Sequence, residues 1–315
     1  MGGILMSDDI STITQHQFTI LDGKETAHSI KEDLKSSLQA FRNTYNISTS
    51  PELAVVSVGT DLASAVYVRG KMKDCYECGF ICNHISLPED TTIGKIKSTL
   101  RSLSEDNHTN GIILQLPLPA SFTRDDEMEC IAVIDPRKDV DCFTNENIGK
   151  LYHNEADFAP CTPAGIIELL NHWNINVAGK NVCIVNRSDI VGKPLSLMMC
   201  HRNATVTLCH SKTTNIEEKM KNADILVIGV GKAGFINKYN VDKCIKDGAV
   251  IVDVGINRDG NGKVVGDCDW EAIKEKVSYA SPVPGGVGLM TRAELLINVF
   301  KAYCLQNKNR LGKEK

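Results

Sequence analysis

The sequence predicts an α/β architecture: two three-layer domains, each a parallel sheet covered by helices, with a cleft between them. Three observations carry this. Short apolar runs of strand length alternate with segments of helical periodicity along most of the 315 residues. The alternation runs twice, interrupted by the Pro- and Gly-marked stretch DFAPCTPAG at 157–165. The chain length also suits about two domains.

The first series opens with LAVVSV from Leu53, apolar enough for a strand buried on both faces. A helix carrying Tyr67 and Lys71 follows and runs to Gly79, a residue that readily takes the left-handed backbone past a helix end. FICNHISL reads as a second strand, TIGKIKSTLRSL as an amphipathic helix, and GIILQL as a third strand ending in PLP. Helices between successive strands imply parallel pairing through right-handed crossovers. After the boundary come NVCIV, ATVTL, DILVIGVG and AVIVDVG, separated by helical segments, which make a second doubly wound unit of Rossmann type. A last helix, from about Thr291 to Gln306, follows the loop PVPGGVG.

With 42% apolar and 23% charged residues and a net charge of −4, the chain is ordinarily globular and has no global positive field for nucleic acid or membrane. No apolar run reaches the length of a membrane span. The N-terminal MGGILMSDDISTITQHQ has two aspartates and no basic residue before Lys24, so it fits neither a secretory nor an Arg-rich transit segment and reads as a loose polar extension. Twelve cysteines scattered through strands and helices suit reduced thiols in a cytosol-like compartment. Cys75, Cys78 and Cys82 have ligand-like spacing, but without a second pair they read as a buried thiol stripe, and no metal site is expected.

The stretch SAVYVRGK puts Ser64, Tyr67 and Lys71 on one helix face through their three- and four-residue spacing. Tyr-x-x-x-Lys also marks short-chain dehydrogenases, where it follows the Gly-rich turn inside the nucleotide domain. Here it lies far ahead of the nucleotide unit, on another sheet. Tyr67 and Lys71 therefore face a cofactor across the interdomain cleft, or belong to an ordinary helix surface. Gln115 closes the strand GIILQL, at the sheet end where parallel α/β folds present ligand-binding groups, and Asp139 and Asp141 stand in PRKDVDCF. For each a packing role is open: Gln115 satisfying backbone, Asp139 pairing with Lys138 or capping a turn.

In the second series, NRSDIVGKP (Asn186 to Pro194) leads from the first strand into a helix opening at Pro194, and Gly192 is the glycine that lets backbone approach a phosphate. The strand ATVTL ends in CHSKT, so no acid stands where an NAD site holds the ribose hydroxyls. His210, Ser211 and Lys212, with Arg187 on the adjacent loop, suit a ribose phosphate and hence NADP. The other reading leaves Arg187 a solvated loop residue and Ser211 a turn former.

Together SAVYVRGKMKDC, GIILQLPLP, PRKDVDCF, APCTPAG, IVNRSDIVGKPLS, ATVTLCHSKT, ADILVIGVGKAGFI, AVIVDVGIN and SPVPGGVGLMT, in that order from about residue 18 to 306, resemble the bifunctional methylenetetrahydrofolate dehydrogenase/methenyltetrahydrofolate cyclohydrolase family. The resemblance implies a folate-facing domain of residues 17–160 completed by a returning C-terminal helix at 291–310, and a Rossmann NADP-binding domain at 161–290. It also implies tetrahydrofolate derivatives as substrates, a homodimer and a cytoplasmic enzyme. Lys71 takes the central proton-handling role, Tyr67 the platform under the pterin, Gln115 a partner to Lys71, and Asp141 the clamp on the pterin. Further substrate contacts are implied for Ser64, Val68, Leu116, Pro284, Gly285, Gly286 and Leu289. Cofactor contacts are implied for Asn186, Arg187, Ser188, Val191, Gly192, Pro194, His210, Ser211, Gly229, Val230, Gly231, Gly255, Ile256 and Thr291.

The sequence departs from the family in places. Gly is usual where Asn186 and Cys142 stand, and Pro where Ala233 and Leu289 stand. Asn tolerates positive φ better than most non-Gly residues, so Asn186 suits a turn, while Cys142 and Leu289 flank the expected folate site and bear on its shape. The Gly-rich synthetase domain of longer relatives does not follow, so formate ligation is not expected.

In the implied chemistry, hydride leaves the methylene bridge of 5,10-methylenetetrahydrofolate for a nicotinamide, a step that needs mainly positioning. Water then adds to the methenyl cation and opens it to 10-formyltetrahydrofolate. That step needs proton transfers, which a lysine performs when burial favours its neutral form. A shikimate- or amino-acid-type NADP dehydrogenase shares the architecture but leaves QLPLP followed by KDVD unexplained. A catalytically silent nucleotide-binding regulator needs none of Tyr67, Lys71, Gln115 and Asp141.

Overall fold

The computed structural model describes residues 18–59 and 62–313, so the polar extension read before Phe18 lies outside the described residues. Its strands are β1 (Thr19–Ile20), β2 (Glu52–Val58), β3 (Ile81–Leu87), β4 (Gly111–Leu114), β5 (Asn181–Val185), β6 (Thr205–Cys209), β7 (Ile225–Ile228), β8 (Val250–Asp253), the hairpin β9 (Asn257–Arg258) and β10 (Val264–Val265), and β11 (Tyr279–Ala280). Strands β3-β2-β4 form one parallel sheet. Strands β1-β11-β8-β7-β5-β6 form a second, also parallel throughout. Every residue of β4, β7 and β8 is buried, as continuous apolar runs demand when helices cover both faces of a sheet.

The helix bearing Tyr67 spans Leu62–Glu77 and is followed by Gly79 at φ +72°. The helix Gly23–Tyr45 is capped by Asp22, whose carboxylate accepts from the N–H groups of Lys24 and Glu25. Thr92 caps Ile93–Glu105 in the same way, at the start read from TIGK. Cys75 and Cys78 are buried in the core under β2, with Cys82 packed against it.

Several features differ from the sequence reading. Residues Thr19–Ile20 pair with β11, so the first described strand joins the six-stranded sheet, and the next residue, Leu21, is fully buried in the core on that side. The last helix is Val287–Lys313, longer at both ends, because Val287 and Met290 already have core to bury into. The helix after β5 opens at Gly192, two residues before Pro194, with Leu195 N–H already bonded to the Val191 carbonyl. Asn186 is not among the described residues with positive φ; Cys142 is, at +60°. The side-chain bonds described below hold Asn186 in ordinary backbone, and the strained position falls on the cysteine.

Candidate active site

One cavity of about 340 Å³, within the range of small-molecule sites, opens between the end of β4, the last helix and the loop after β5. The helix Leu62–Glu77 presents Tyr67 and Lys71 to it, the end of β4 presents Gln115 and Leu116, and the turn beyond presents Asp141. The last helix adds Thr291, Arg292 and Leu295. Lys71 Nζ donates to Gln115 Oε1 at 3.0 Å. Gln115 Nε2 in turn donates to the Leu116 carbonyl at 2.9 Å, which fixes which end of the amide faces the lysine.

Asp141 is enclosed by protein on most sides yet keeps an opening onto the cavity. Burial pushes its carboxyl above the usual range, Lys71 pulls it back, and the neighbouring Asp139 adds to the rise. The Cys161 thiol donates to Asp141 Oδ1 at 3.5 Å, and burial keeps that thiol protonated. Burial also raises the Tyr67 phenol, with Arg292 opposing. A flat ring, an ammonium held by an amide, and a carboxylate thus share one gap.

Asp139 does not reach it. Its carboxylate accepts from the N–H groups of Phe143 (3.2 Å) and Thr144 (2.8 Å) and from Asn147 Nδ2 (2.9 Å), so it builds the turn that aims Asp141. Lys138 donates to the carbonyls of Leu103 and Asp106. Cys142, the left-handed residue, donates to the Phe158 carbonyl at 3.4 Å.

Of the other expected substrate residues, the Ser64 side chain lies outside the described residues. Val68 is buried in the core beneath its helix, Leu289 packs against the nucleotide-side core, and Pro284 is exposed. Gly285 and Gly286 lie against the first helix, where a Cβ at Gly23 would come 2.2 Å from the Gly286 carbonyl oxygen. None of these five lines the cavity. Thr291, expected at the cofactor, does line it, with its hydroxyl 3.0 Å from that of Thr162. Cys161, Thr162 and Arg292 are site residues the sequence reading did not name: APCTPAG served as a boundary and as part of the resemblance without a role for either residue, and nothing in the local pattern singles out Arg292.

The loops at the ends of β5, β7 and β8 form a second constellation. Asn186 Oδ1 accepts from Ser188 N–H (2.8 Å), Ser188 Oγ (2.8 Å) and Gly192 N–H (3.1 Å), while its Nδ2 donates to the Gly229 carbonyl. A Cβ at Gly192 would lie 2.0 Å from the Asn186 carbonyl oxygen, so the close turn demands glycine. Two buried acids outside the sequence reading hold the neighbouring loops. Asp267 accepts from the N–H groups of Val230, Gly231 and Lys232. Asp253 accepts from those of Gly255, Asp267 and Cys268. Burial lifts the Asp253 carboxyl to about 6 although three N–H groups favour its anion. An acid inside the apolar run of β8 was the available signal. At the end of β6 stand His210, Ser211 and Lys212, the last two exposed, as is Arg187; His210 Nδ1 accepts from Lys212 N–H at 3.1 Å.

The model of the tetrahydrofolate dehydrogenase/cyclohydrolase catalytic domain matches residues 21–141, and that of the NAD(P)-binding domain of the same family matches 160–307. A bifunctional protein FolD of Acetivibrio thermocellus is 46% identical over 92% of the chain and 98% of its own length. One of Ruminiclostridium cellulolyticum is 44% identical over 91% and 98%. The crystal structure of the bifunctional enzyme FolD, methylenetetrahydrofolate dehydrogenase/cyclohydrolase, from Campylobacter jejuni superposes with a TM-score of 0.86 at 38% identity, covering 93% of this chain and 99% of that one. The Trypanosoma brucei enzyme, complexed with NADP cofactor and inhibitor, gives 0.84 at 31% identity over 91% and 97%.

Proposed function

The chain belongs to the tetrahydrofolate dehydrogenase/cyclohydrolase family, and from that membership we infer a bifunctional enzyme of one-carbon metabolism. It oxidises 5,10-methylenetetrahydrofolate to 5,10-methenyltetrahydrofolate with NADP and hydrolyses the product to 10-formyltetrahydrofolate. The observation that carries the reading is the Lys71–Gln115 pair beside Asp141 and Tyr67 in one cavity. A silent regulator has no use for it, and the relatives favour this chemistry over a shikimate-type one.

The residues present fit NADP. The turn closed by Asn186 and Gly192 sets a helix start at the end of β5, and the positive end of a helix favours a phosphate. Arg187, Ser211 and Lys212 offer donors for a ribose phosphate where an NAD-selective site would carry an acid. The chemistry supplied when it binds is hydride acceptance. The protein's share of that step is position: Tyr67 gives the pterin a flat surface, and the Asp141 carboxylate takes its adjacent N–H donors in parallel. In the hydrolytic step Lys71 Nζ removes a proton from the water adding to the methenyl carbon. It then returns the proton to the ring nitrogen as the carbon–nitrogen bond breaks, with Gln115 holding the amine in line.

We assign the folate to the unit of residues 17–160 with the helix 291–310, and the nucleotide to 161–290. A homodimer is supported by β3, whose outer edge carries no strand among the described residues, and by Tyr76, Met72, Val66 and Ile81 exposed nearby. Twelve free thiols support a reducing, cytoplasmic setting; among the described residues no helix is long and apolar enough to cross a membrane. The test is to supply methylenetetrahydrofolate with NADP, then with NAD, and follow reduced cofactor and methenyl absorbance together. Both signals rise with NADP if the reading holds. Turnover of a shikimate-type substrate instead, or of nothing, overturns it.

A further inference from the structure

We propose that Arg292 is a carboxylate-binding subsite of the folate cavity, selecting substrates by the anionic glutamyl end of the molecule; this rests on the folate reading above. Arg292 reaches from the last helix onto the helix Leu62–Glu77 and lays its guanidinium over Gly70. A Cβ at Gly70 would sit 2.0 Å from Nη1 and 3.1 Å from Cζ. The glycine between Tyr67 and Lys71 is therefore the clearance that admits an arginine beside them. On its inner side Nε lies 3.1 Å from Asp74 Oδ2, and Asp74 is itself shared with Lys31 at 3.2 Å. Lys31 pairs more closely with Glu77, at 2.5 Å, so the buried Asp74 carboxylate serves mainly to anchor the guanidinium from its inner side. Nη1 and Nη2 take no acceptor among the described residues, and the side chain is a quarter exposed, along the cavity wall.

Ligand chemistry follows from the inventory of that wall. Its carboxylate, Asp141, suits the donor edge of a pterin, and its ammonium, Lys71, is engaged with Gln115. What remains is a planar fork of donors with no lone pair to offer, and such a fork matches a carboxylate in two parallel hydrogen bonds. On a reduced folate the carboxylates are on the glutamyl tail. Arg292 therefore acts in binding: it leaves the one-carbon unit alone and holds the far end of the substrate.

The experiment compares two substrates, 5,10-methylenetetrahydrofolate and its analogue with an ethylamide in place of the glutamate, on the wild-type enzyme, Arg292→Met and Arg292→Lys. In the wild type the analogue should show a KM higher by about tenfold. Arg292→Met should raise KM for the glutamyl substrate by about the same factor, keep kcat within about twofold, and leave KM for the ethylamide unchanged, with Arg292→Lys intermediate. An equal loss on both substrates overturns the proposal in favour of a positioning role on the Tyr67 helix. No change in the variants overturns it as well. Should Arg292→Met fail to fold, the wild-type comparison decides: equal KM values for the two substrates overturn the subsite. If the wild type turns over neither substrate, the folate reading itself has failed.

Discussion

Replacing Glu294 with glutamine should make the protein's stability less dependent on pH, by an amount the structure sets. Glu294 sits on the last helix, 4% exposed, and its Oε1 has no hydrogen-bond partner. Burial first, then the like charge of Glu168, pushes its carboxyl up to about 8, against the opposing pull of Lys301. In the unfolded chain the same group titrates near 4.5. Because the folded value is the higher one, the group's contribution is fully present below about pH 4.5 and is lost as pH rises through about 8. Within that window each pH unit removes about 1.4 kcal/mol, so the wild type should lose about 3 kcal/mol between roughly pH 5 and pH 7 through this residue. Glutamine keeps the shape and does not titrate. Urea unfolding of both proteins across that range should therefore show the stability difference moving in favour of Glu294→Gln by about 3 kcal/mol. The nearby Cys161 thiol, pushed well up by burial, stays neutral throughout and does not blur the comparison. A difference that stays flat with pH refutes the claim that a neutral, unpartnered acid is built into this helix.

Lys71→Met should abolish hydrolysis of methenyltetrahydrofolate while leaving part of the hydride transfer; equal loss of both activities in a folded protein would count against the separate proton role. Gly192→Ala places a Cβ 2.0 Å from the Asn186 carbonyl oxygen, so KM for NADP should rise by more than about tenfold while direct hydrolysis of methenyltetrahydrofolate stays within about twofold. At Cys142, held at φ +60°, the glycine variant should be more stable than the alanine variant by about 1 kcal/mol in urea unfolding, since only alanine retains the Cβ strain. Alanine equal to or above glycine there would remove the strain argument.

What the sequence reveals follows the range of the interactions involved. The strands β2, β4, β5, β7 and β8 are legible because buried parallel strands are nearly continuous apolar runs, whereas the edge strands β3 and β6, largely exposed, are legible mainly by their place between helical segments. β1 is not, because Thr19–Ile20 is too short to show a period and its partner, Tyr279–Ala280, lies at the other end of the chain. Tyr67 and Lys71 are legible as a helical row and Gln115 as a strand end, whereas Asp141 is separated from Asp139 only by the resemblance. Arg292 is defined by what it touches across the fold, Gly70 and Asp74, and no local pattern encodes that. Asn186 and Cys142 show where propensity misleads. Asparagine has the better tolerance for left-handed backbone, yet its amide is spent on Ser188, Gly192 and Gly229 in ordinary backbone. The turn that aims Asp141 imposes the positive φ on the cysteine instead.

The last helix explains how a gap between two domains can hold reacting groups in register. Val287, Met290 and Ala293 belong to the nucleotide-side core, while Leu295, Leu296 and Val299 belong to the core beneath β2. Thr291 and Arg292, which face the cavity, thus stand on a helix anchored in both cores. At the other end of the chain, β1 and Leu21 are fixed in the nucleotide-side sheet and core, and the helix Gly23–Tyr45 that follows buries Leu34 and Leu38 in the other core. Two segments far apart in sequence therefore stitch the halves together, and opening the cleft as a free hinge would require one of these packed faces to come apart. Reactions whose catalysis is mainly positional gain from such walls, because an error of about 1 Å between reacting atoms costs about a hundredfold in rate. The cavity geometry is in this sense a product of core packing, and the polar residues that line it inherit their precision from Met290 and Leu295 behind them.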